Sequence, residues 1–280
     1  MILVADSGST KSHWKVIQGS EEESSFDTMG LNPYHHSEDE YFRLMKNAIA
    51  GSVMPATISE VFFYGAGCAL EAMNKRVNRS LGRIFTRADI HVFSDILGAA
   101  RALFSDEQGL VLVLGTGSSV GFYNGVKVLQ RTPSLGYLLG DEGSATHLCK
   151  ELIKRWQYGE LSAGVSDLLS TYCSIPISEI LKKIYFEPSP VRFLTSFMGF
   201  IAANAQEPDV AKIIHESFSD LVVRHLTKFP EFPNTPLGVV GSVGTVFRDQ
   251  LENVLSSFGG TIQTTVQYPI EGLVCYHKGK

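Results

Sequence analysis

One local plan occurs twice in this chain, and that repetition constrains the fold more than any other feature. Residues 2–17, ILVADSGSTKSHWKVI, read as an apolar strand, a turn of small hydroxyl-bearing residues and a second strand. Residues 110–129, LVLVLGTGSSVGFYNGVKVL, follow the same plan and add Asn124-Gly125, a dipeptide suited to the positive backbone angles of a tight hairpin. The turns align as Ser7-Gly8-Ser9-Thr10 and Thr116-Gly117-Ser118-Ser119, about 109 residues apart. This echo predicts two related domains facing a shared cleft, each contributing one turn; chance similarity of two hairpins is the competing explanation. At 280 residues the chain is long for one core and comfortable for two.

Between the echoes, Glu60–Tyr64 reads as a strand entering Gly65-Ala66-Gly67, with a helix following to about Asn78. Ile90–Phe93 is a second apolar strand that ends at Ser94-Asp95 and feeds an Ala- and Leu-rich helix, Ile96–Phe104. Strands alternating with helices predict an α/β fold with a largely parallel inner sheet, whose ligands gather at strand C-termini. From Gly143 onward the pattern is mainly helical, near 144–157, 163–173, 178–186, 191–205 and 208–228, a helical insertion in the second domain. A strand Leu237–Val240, the turn Gly241-Ser242-Val243-Gly244, a helix to about Ser257, a strand Thr261–Gln267 and a helix opened by Pro269 complete the chain. The expected domains are residues 1–109 with about 269–280, and residues 110–268.

Composition removes several function classes. Formal net charge is −5 and no basic run exceeds two residues, so nucleic acid is not an expected partner. Met1-Ile2-Leu3-Val4-Ala5-Asp6 lacks a basic leader and reaches a carboxylate after four apolar residues. It reads as neither signal peptide nor membrane span, so a cytoplasmic protein is expected. Cys68, Cys149, Cys173 and Cys275 are scattered without a CxxC pair, which predicts reduced thiols, not a zinc site or disulfide framework. The adjacent His35 and His36 are assigned no metal.

Turns rich in Gly, Ser and Thr suit phosphate, because small residues let backbone N–H groups converge on an anion and hydroxyls add donors without bulk. Spacing rejects two phosphate signatures. GxxxxGK[ST] is absent, and Gly115-Thr116-Gly117 is followed by Gly121 one residue too late for GxGxxG, with strand, not helix, downstream. The segments Asp6-Ser7-Gly8-Ser9-Thr10-Lys11, Leu114-Gly115-Thr116-Gly117-Ser118-Ser119 and Gly241-Ser242-Val243-Gly244, in that order, resemble the two phosphate motifs and the adenosine motif of the actin, hexokinase and Hsp70 superfamily. Within that frame, Gly136–Ala145, with GDEGSA at 140–145, is similar to a stretch of the N-acetylglucosamine kinase family, which also includes the BadF-type activator ATPases.

The resemblance implies two actin-like (ribonuclease H-like) domains around a cleft: an N-terminal sugar-binding lobe and a C-terminal nucleotide-binding lobe. It implies MgATP and a small-molecule sugar as ligands, and it leaves a homodimer open. Asp95 matches the catalytic aspartate that takes the proton of the sugar hydroxyl, although an Asp before a helix also serves as a cap. Asp6, costly in an apolar strand unless it is hydrogen-bonded or near a cation, is implied for Mg2+ through water. Gly8, Ser9, Thr10, Gly115, Thr116 and Gly117 match the phosphate clamp, and Gly241, Ser242 and Gly244 the adenosine turn. Lys11 either balances phosphate charge or faces solvent. Sugar contacts are implied for Asp141, Ser118, Ser119, Ser134, Leu135, Gly136 and Asn32, with Gly65 and Gly67 offering backbone approach. Asn32 equally fits a turn, and Asp141 with Glu142 equally complement a helix dipole.

Ser119 stands where similar N-acetylglucosamine kinases often carry Asn, which leaves the identity of the sugar open. The activator ATPases have a Gly-Gly-Gln-Asp stretch and paired cysteines around an iron–sulfur cluster, without counterpart here. The sequence thus favours ATP-dependent transfer to an amino sugar such as N-acetylglucosamine over the alternative, a BadF-type ATPase or a sugar- and ATP-sensing protein without phosphotransfer.

Overall fold

The computed structural model describes residues 1–279 apart from 9, 20 and 131, and leaves the side chains of 21–23 and 35 undescribed. The chain divides into two compact units. One comprises Met1–Val111, Tyr123–Leu129 and Tyr268–Lys280; the other comprises Leu112–Phe122 and Gln130–Gln267.

In chain order the first unit builds β1 (Ile2–Ser7), β2 (Lys11–Gln18), β3 (Glu21–Met29), α1 (Glu38–Ile49), β4 (Glu60–Gly65), α2 (Glu71–Ile84), β5 (Asp89–Ser94) and α3 (Asp95–Phe104). Its sheet runs β3-β2-β1-β4-β5. β1 and β2, and β2 and β3, pair antiparallel; β1 and β4, and β4 and β5, pair parallel. Side chains alternate across such strands, so each face needs its own cover. Leu3, Ala5, Trp14, Val16, Val61, Phe63 and Val92 lie against Tyr41, Met45 and Ile49 of α1 and Val77 and Leu81 of α2. Val4, Ile17 and Tyr64 on the opposite face lie against Ile270, Leu273 and Val274. Register pairs Asp6 with His13 and with Tyr64, which sets Asp6 on that second face.

Strands β6 (Gln108–Leu114), β7 (Ser118–Asn124) and β8 (Val128–Leu129) follow, with the Asn124 side chain accepting from the amides of Val126 and Lys127 at the foreseen hairpin. Next come the short α4 (Gly136–Leu139), α5 (Ala145–Gln157), α6 (Ala163–Tyr172), α7 (Ile177–Tyr185), α8 (Pro190–Thr195), α9 (Met198–Ala203) and α10 (Pro208–Arg224). β9 (Leu237–Val240), α11 (Ser242–Val246), α12 (Arg248–Ser256), β10 (Ile262–Val266) and α13 (Ile270–Lys278) complete the order. The second sheet runs β10-β9-β6-β7-β8, with β9 and β10 parallel. In the second unit α10 packs on α5 and α12 through fully buried Ile214, Phe218 and Leu221. Among the described residues no helix is long and apolar enough to cross a membrane.

The expected α/β alternation is present, with three differences. β3 was not foreseen, because Glu21-Glu22-Glu23-Ser24-Ser25 disfavours strand by propensity; pairing along nearly the whole of β2 overrides that preference. α1 was also missed, although Ser37-x-x-Glu40 is a helix-start signature, and the Ser37 hydroxyl accepts from the Glu40 amide at 3.4 Å. The single helix expected over 191–205 is interrupted at Ser196-Phe197, between α8 and α9.

α13 approaches α3 so closely that a Cβ on Gly272 would sit 2.4 Å from the Ala102 carbonyl oxygen, whereas one on Gly82 in α2 would meet nothing within 4 Å. Gly82→Ala is therefore expected to stabilise by about 1 kcal/mol through helix propensity. Gly272→Ala is expected to destabilise by about 1–3 kcal/mol, because backbone must move. Thermal denaturation of the two variants checks this opposition of sign; equal shifts would refute it.

Candidate active site

Parallel β1, β4 and β5 end in register, Ser7 beside Gly65 and Gly65 beside Ser94. Asp6 lies at the end of β1, and Asp95 opens α3 directly after β5. Two strand spacings separate their backbones, roughly 10 Å. Ser94 occupies the cap position and Asp95 the first helical residue, where its Oδ1 accepts the Ile96 N–H at 2.9 Å. Burial pushes the Asp95 carboxyl up to about 6 against the pull of those amides. Burial, reinforced by the Asp95 charge, pushes Asp6 up to about 7. No cationic side chain contributes to either shift. A recessed carboxylate without a cation suits a hard ion that brings other oxygen ligands with it. Among the described residues no group of three His, Cys, Asp or Glu side chains forms a self-sufficient metal site.

The other expected residues of this unit gather around the same strand ends. Gly8 N–H donates to the Lys11 carbonyl at 3.0 Å, and the Thr10 carbonyl accepts from Gly30 at 2.9 Å, closing the first turn; Ser9 lies outside the described residues. The Lys11 ammonium pairs with Asp27 on β3 at 2.8 Å, so its charge already has a protein partner. Asn32 Oδ1 accepts the Tyr34 amide at 3.0 Å, a turn role, and would stand 2.7 Å from a Cβ on Gly67. A Cβ on Gly65 would lie 2.5 Å from the Phe63 ring. Both glycines are therefore fixed by close packing.

In the second unit, α5 stands head-on against the second turn. Ala145 N–H donates to the Gly115 carbonyl at 3.0 Å and Thr146 N–H to the Thr116 carbonyl at 3.1 Å. Ser144 caps this helix through the His147 amide. Asp141 adopts φ 62°, a costly conformation for a non-glycine residue. Burial raises its pKa, while the Ser118 amide and the charge of Lys150 pull it down. A Cβ on Gly117 would lie 2.9 Å from Asp141 Oδ2, so that turn must carry glycine for the carboxylate to settle there. Gly241, at φ 119°, leaves no space for a Cβ, which would be 2.2 Å from the Leu114 carbonyl oxygen and 3.2 Å from Gly115 N. Ser242 opens α11, and Gly244 is pressed onto Val239. The Gly241 turn and the Gly115 turn are thus in contact.

A cavity of about 230 Å³ in this unit is lined by Ser118, Ser134, Leu135 and Asp141, four of the expected sugar contacts. Gly136 opens α4 just beyond Leu135, and Ser119 Oγ accepts from Gln130 at 3.0 Å. Sequence reasoning missed Thr132, Arg224 and His225 on the same cavity wall, and Lys150, whose ammonium donates to the Tyr137 carbonyl. It read Glu142 only as a helix-dipole residue, whereas its carboxylate faces His225 at 3.1 Å.

This geometry has a counterpart among solved structures. A provisionally named N-acetylglucosamine kinase from Porphyromonas gingivalis is 34% identical with a TM-score of 0.92, the match covering 100% of this chain and 99% of the other. The chain belongs to the N-acetylglucosamine kinase family. Membership places it among the sugar kinases and bears out the expected α/β, actin-like fold. A second provisionally named N-acetylglucosamine kinase, from Chromobacterium violaceum, is 14% identical at TM-score 0.71, covering 98% of each chain. A ROK family glucokinase from Streptomyces griseus, in complex with glucose and AMPPNP, is 12% identical at TM-score 0.58, covering 98% of this chain and 97% of its own. These two show the fold alone. No family model and no curated protein matches the sequence.

The raised carboxyls carry a pH signature. Between about pH 4 and 7 the folded protein holds protons on Asp6 and Asp95 that the unfolded chain has released, so this contribution is present at low pH and lost as pH rises through 6 and 7. Asp6→Asn is expected to raise the thermal midpoint of the ligand-free protein near pH 8, with the gain fading toward pH 4. Differential scanning fluorimetry across that range checks it; a gain independent of pH would show that Asp6 is not the strained group.

Proposed function

We propose that the protein is an ATP-dependent kinase that transfers the γ-phosphoryl group of ATP to a hydroxyl of an amino sugar, N-acetylglucosamine being the acceptor the family favours. The observation that carries this is the Asp95 carboxyl, lodged at a strand-to-helix junction with a pKa of about 6. A general base works best when its pKa lies near the working pH, since it is then largely ionised yet still basic enough to accept a proton.

Asp95 takes the proton of the attacking hydroxyl as its oxygen bonds to the γ-phosphorus; the bond to the β–γ bridging oxygen breaks, and ADP leaves with that electron pair. Thr10 and Thr116 donate hydroxyl hydrogen bonds to phosphate oxygens beside the Gly117 amide, while Gly8 and Gly115, whose own amides bond the Lys11 and Gly117 carbonyls, shape the two turns around the phosphates. Gly241, Ser242 and Gly244 lie along the adenosine, in a turn that the two glycines let pack against Leu114 and Val239. Asp6 would hold Mg2+ through water, and the ion would supply positive charge against the phosphates. Asp141, kept in place by Gly117 and the Ser118 amide, accepts from sugar hydroxyls, with Asn32, Ser118, Ser134, Leu135 and Gly136 as further contacts. ATP as a substrate places this work in the cytoplasm.

The first experiment is coupled-assay ADP release with MgATP against plain hexoses, amino sugars and their N-acetylated forms. Strong stimulation by one sugar is expected; hydrolysis that ignores every sugar would favour the ATPase alternative. Asp95→Asn is expected to lower kcat by about 10² or more while nucleotide affinity stays nearly unchanged. Unaltered turnover would remove Asp95 from its role. Thr116→Val is expected to raise KM for ATP more than KM for sugar, and the reverse pattern would reassign the turn.

A further inference from the structure

In the second unit, three side chains of the cavity wall form a chain for which the kinase chemistry has no stated use. His225, the residue that caps α10, stands between two partners: Nδ1 lies 2.6 Å from Thr132 Oγ1, and Nε2 lies 3.1 Å from Glu142 Oε2. The Glu142 and His225 side chains are only 12% and 16% exposed. Arg224 Nε stands 3.7 Å from the other oxygen of Glu142. All of them line the same cavity as Asp141.

Valence fixes the direction of the bond to Glu142. An ionised carboxylate only accepts, so the hydrogen between Glu142 and His225 sits on Nε2. Burial alone would raise the Glu142 carboxyl, yet the His225 hydrogen bond, with Glu142's own backbone N–H, brings it below its usual range. In the tautomer that carries its single hydrogen on Nε2, His225 presents a lone pair at Nδ1, and the Thr132 hydroxyl donates to it. With its one hydrogen committed, that hydroxyl has only acceptor capacity left for the cavity. A free hydroxyl rotates to match donor or acceptor alike; a pinned one discriminates between them. Apolar Leu135 and Leu139 of the same cavity make no hydrogen bonds with their side chains.

We propose that the Glu142–His225–Thr132 chain is a specificity element, holding Thr132 as a fixed hydrogen-bond acceptor for one hydroxyl or amide N–H of the sugar. Thr132 makes the contact; His225 and Glu142 are positioning residues. This rests on the cavity being the sugar site of the proposed kinase.

The test measures KM for the preferred sugar, for analogues in which each polar group is replaced in turn by hydrogen or by fluorine, and for ATP. In the unchanged protein, one position besides those that Asp141 serves is expected to reject both replacements, because fluorine does not donate. Thr132→Val is expected to raise KM for the parent sugar about tenfold or more, to the level of those analogues, with KM for ATP unchanged. Thr132→Ser restores the discrimination, and His225→Ala loses part of it at constant ATP affinity. A fluorinated analogue that binds as well as the parent at every position overturns the acceptor assignment. Sugar-dependent ADP release together with unaltered discrimination in Thr132→Val overturns the specificity element alone. Absence of any sugar dependence in the unchanged protein overturns it along with the kinase function.

Discussion

Two hydrogen bonds, from the Ala145 and Thr146 amides to the Gly115 and Thr116 carbonyls, organise the second unit's site. A helix start normally leaves its first amides for side chains, water or anions. Here they are spent on the backbone of a turn, which makes the turn and the acidic segment ahead of α5 one mechanical piece. Everything else at that site follows from the junction. Asp141 is forced into a left-handed conformation, its carboxylate falls onto Gly117 and the Ser118 amide, and Glu142 is delivered to His225. The glycines at 117 and 241 are the steric conditions for this, one admitting a carboxylate and the other a carbonyl.

The carboxylates of the first unit are set by a different route. They are not braced by cations or by many donors; they are made uncomfortable. Burial at the ends of parallel strands lifts the pKa of Asp6 and Asp95, and the charge of one adds to the burden of the other. A protein selected for stability alone would not leave two such groups side by side. The strain is released by whatever brings positive charge or protons to the strand ends, which is how a resting site stores preference for its ligands.

How much of this could be read from the chain depended on sequence distance. The strand, turn and strand echo was visible because each copy is local, and the α/β alternation followed from apolar runs and their period. GDEGSA led to Asp141 and, with the upstream Ser134-Leu135, to residues that share one cavity. Thr132 and His225 were invisible because they lie 93 residues apart and carry no local pattern; only the tertiary fold brings them together. β3 escaped because its acidic start argues against a strand, and a ladder to β2 outweighs propensity. Asn32 and Lys11 show the opposite case, where the residue was singled out and the structure gives each a protein partner, Tyr34 and Asp27.

The first unit is completed by the last helix. Val4, Ile17 and Tyr64 are covered by Ile270, Leu273 and Val274, which are synthesised only after the whole second unit. With translation at about 5–20 residues per second, roughly ten to forty seconds pass between the emergence of that apolar sheet face and the arrival of its cover. During that interval the nascent chain presents an open hydrophobic surface next to the edge of its sheet, so the part made first is the part finished last, and its safe folding in a cell depends on what shields it while the ribosome works.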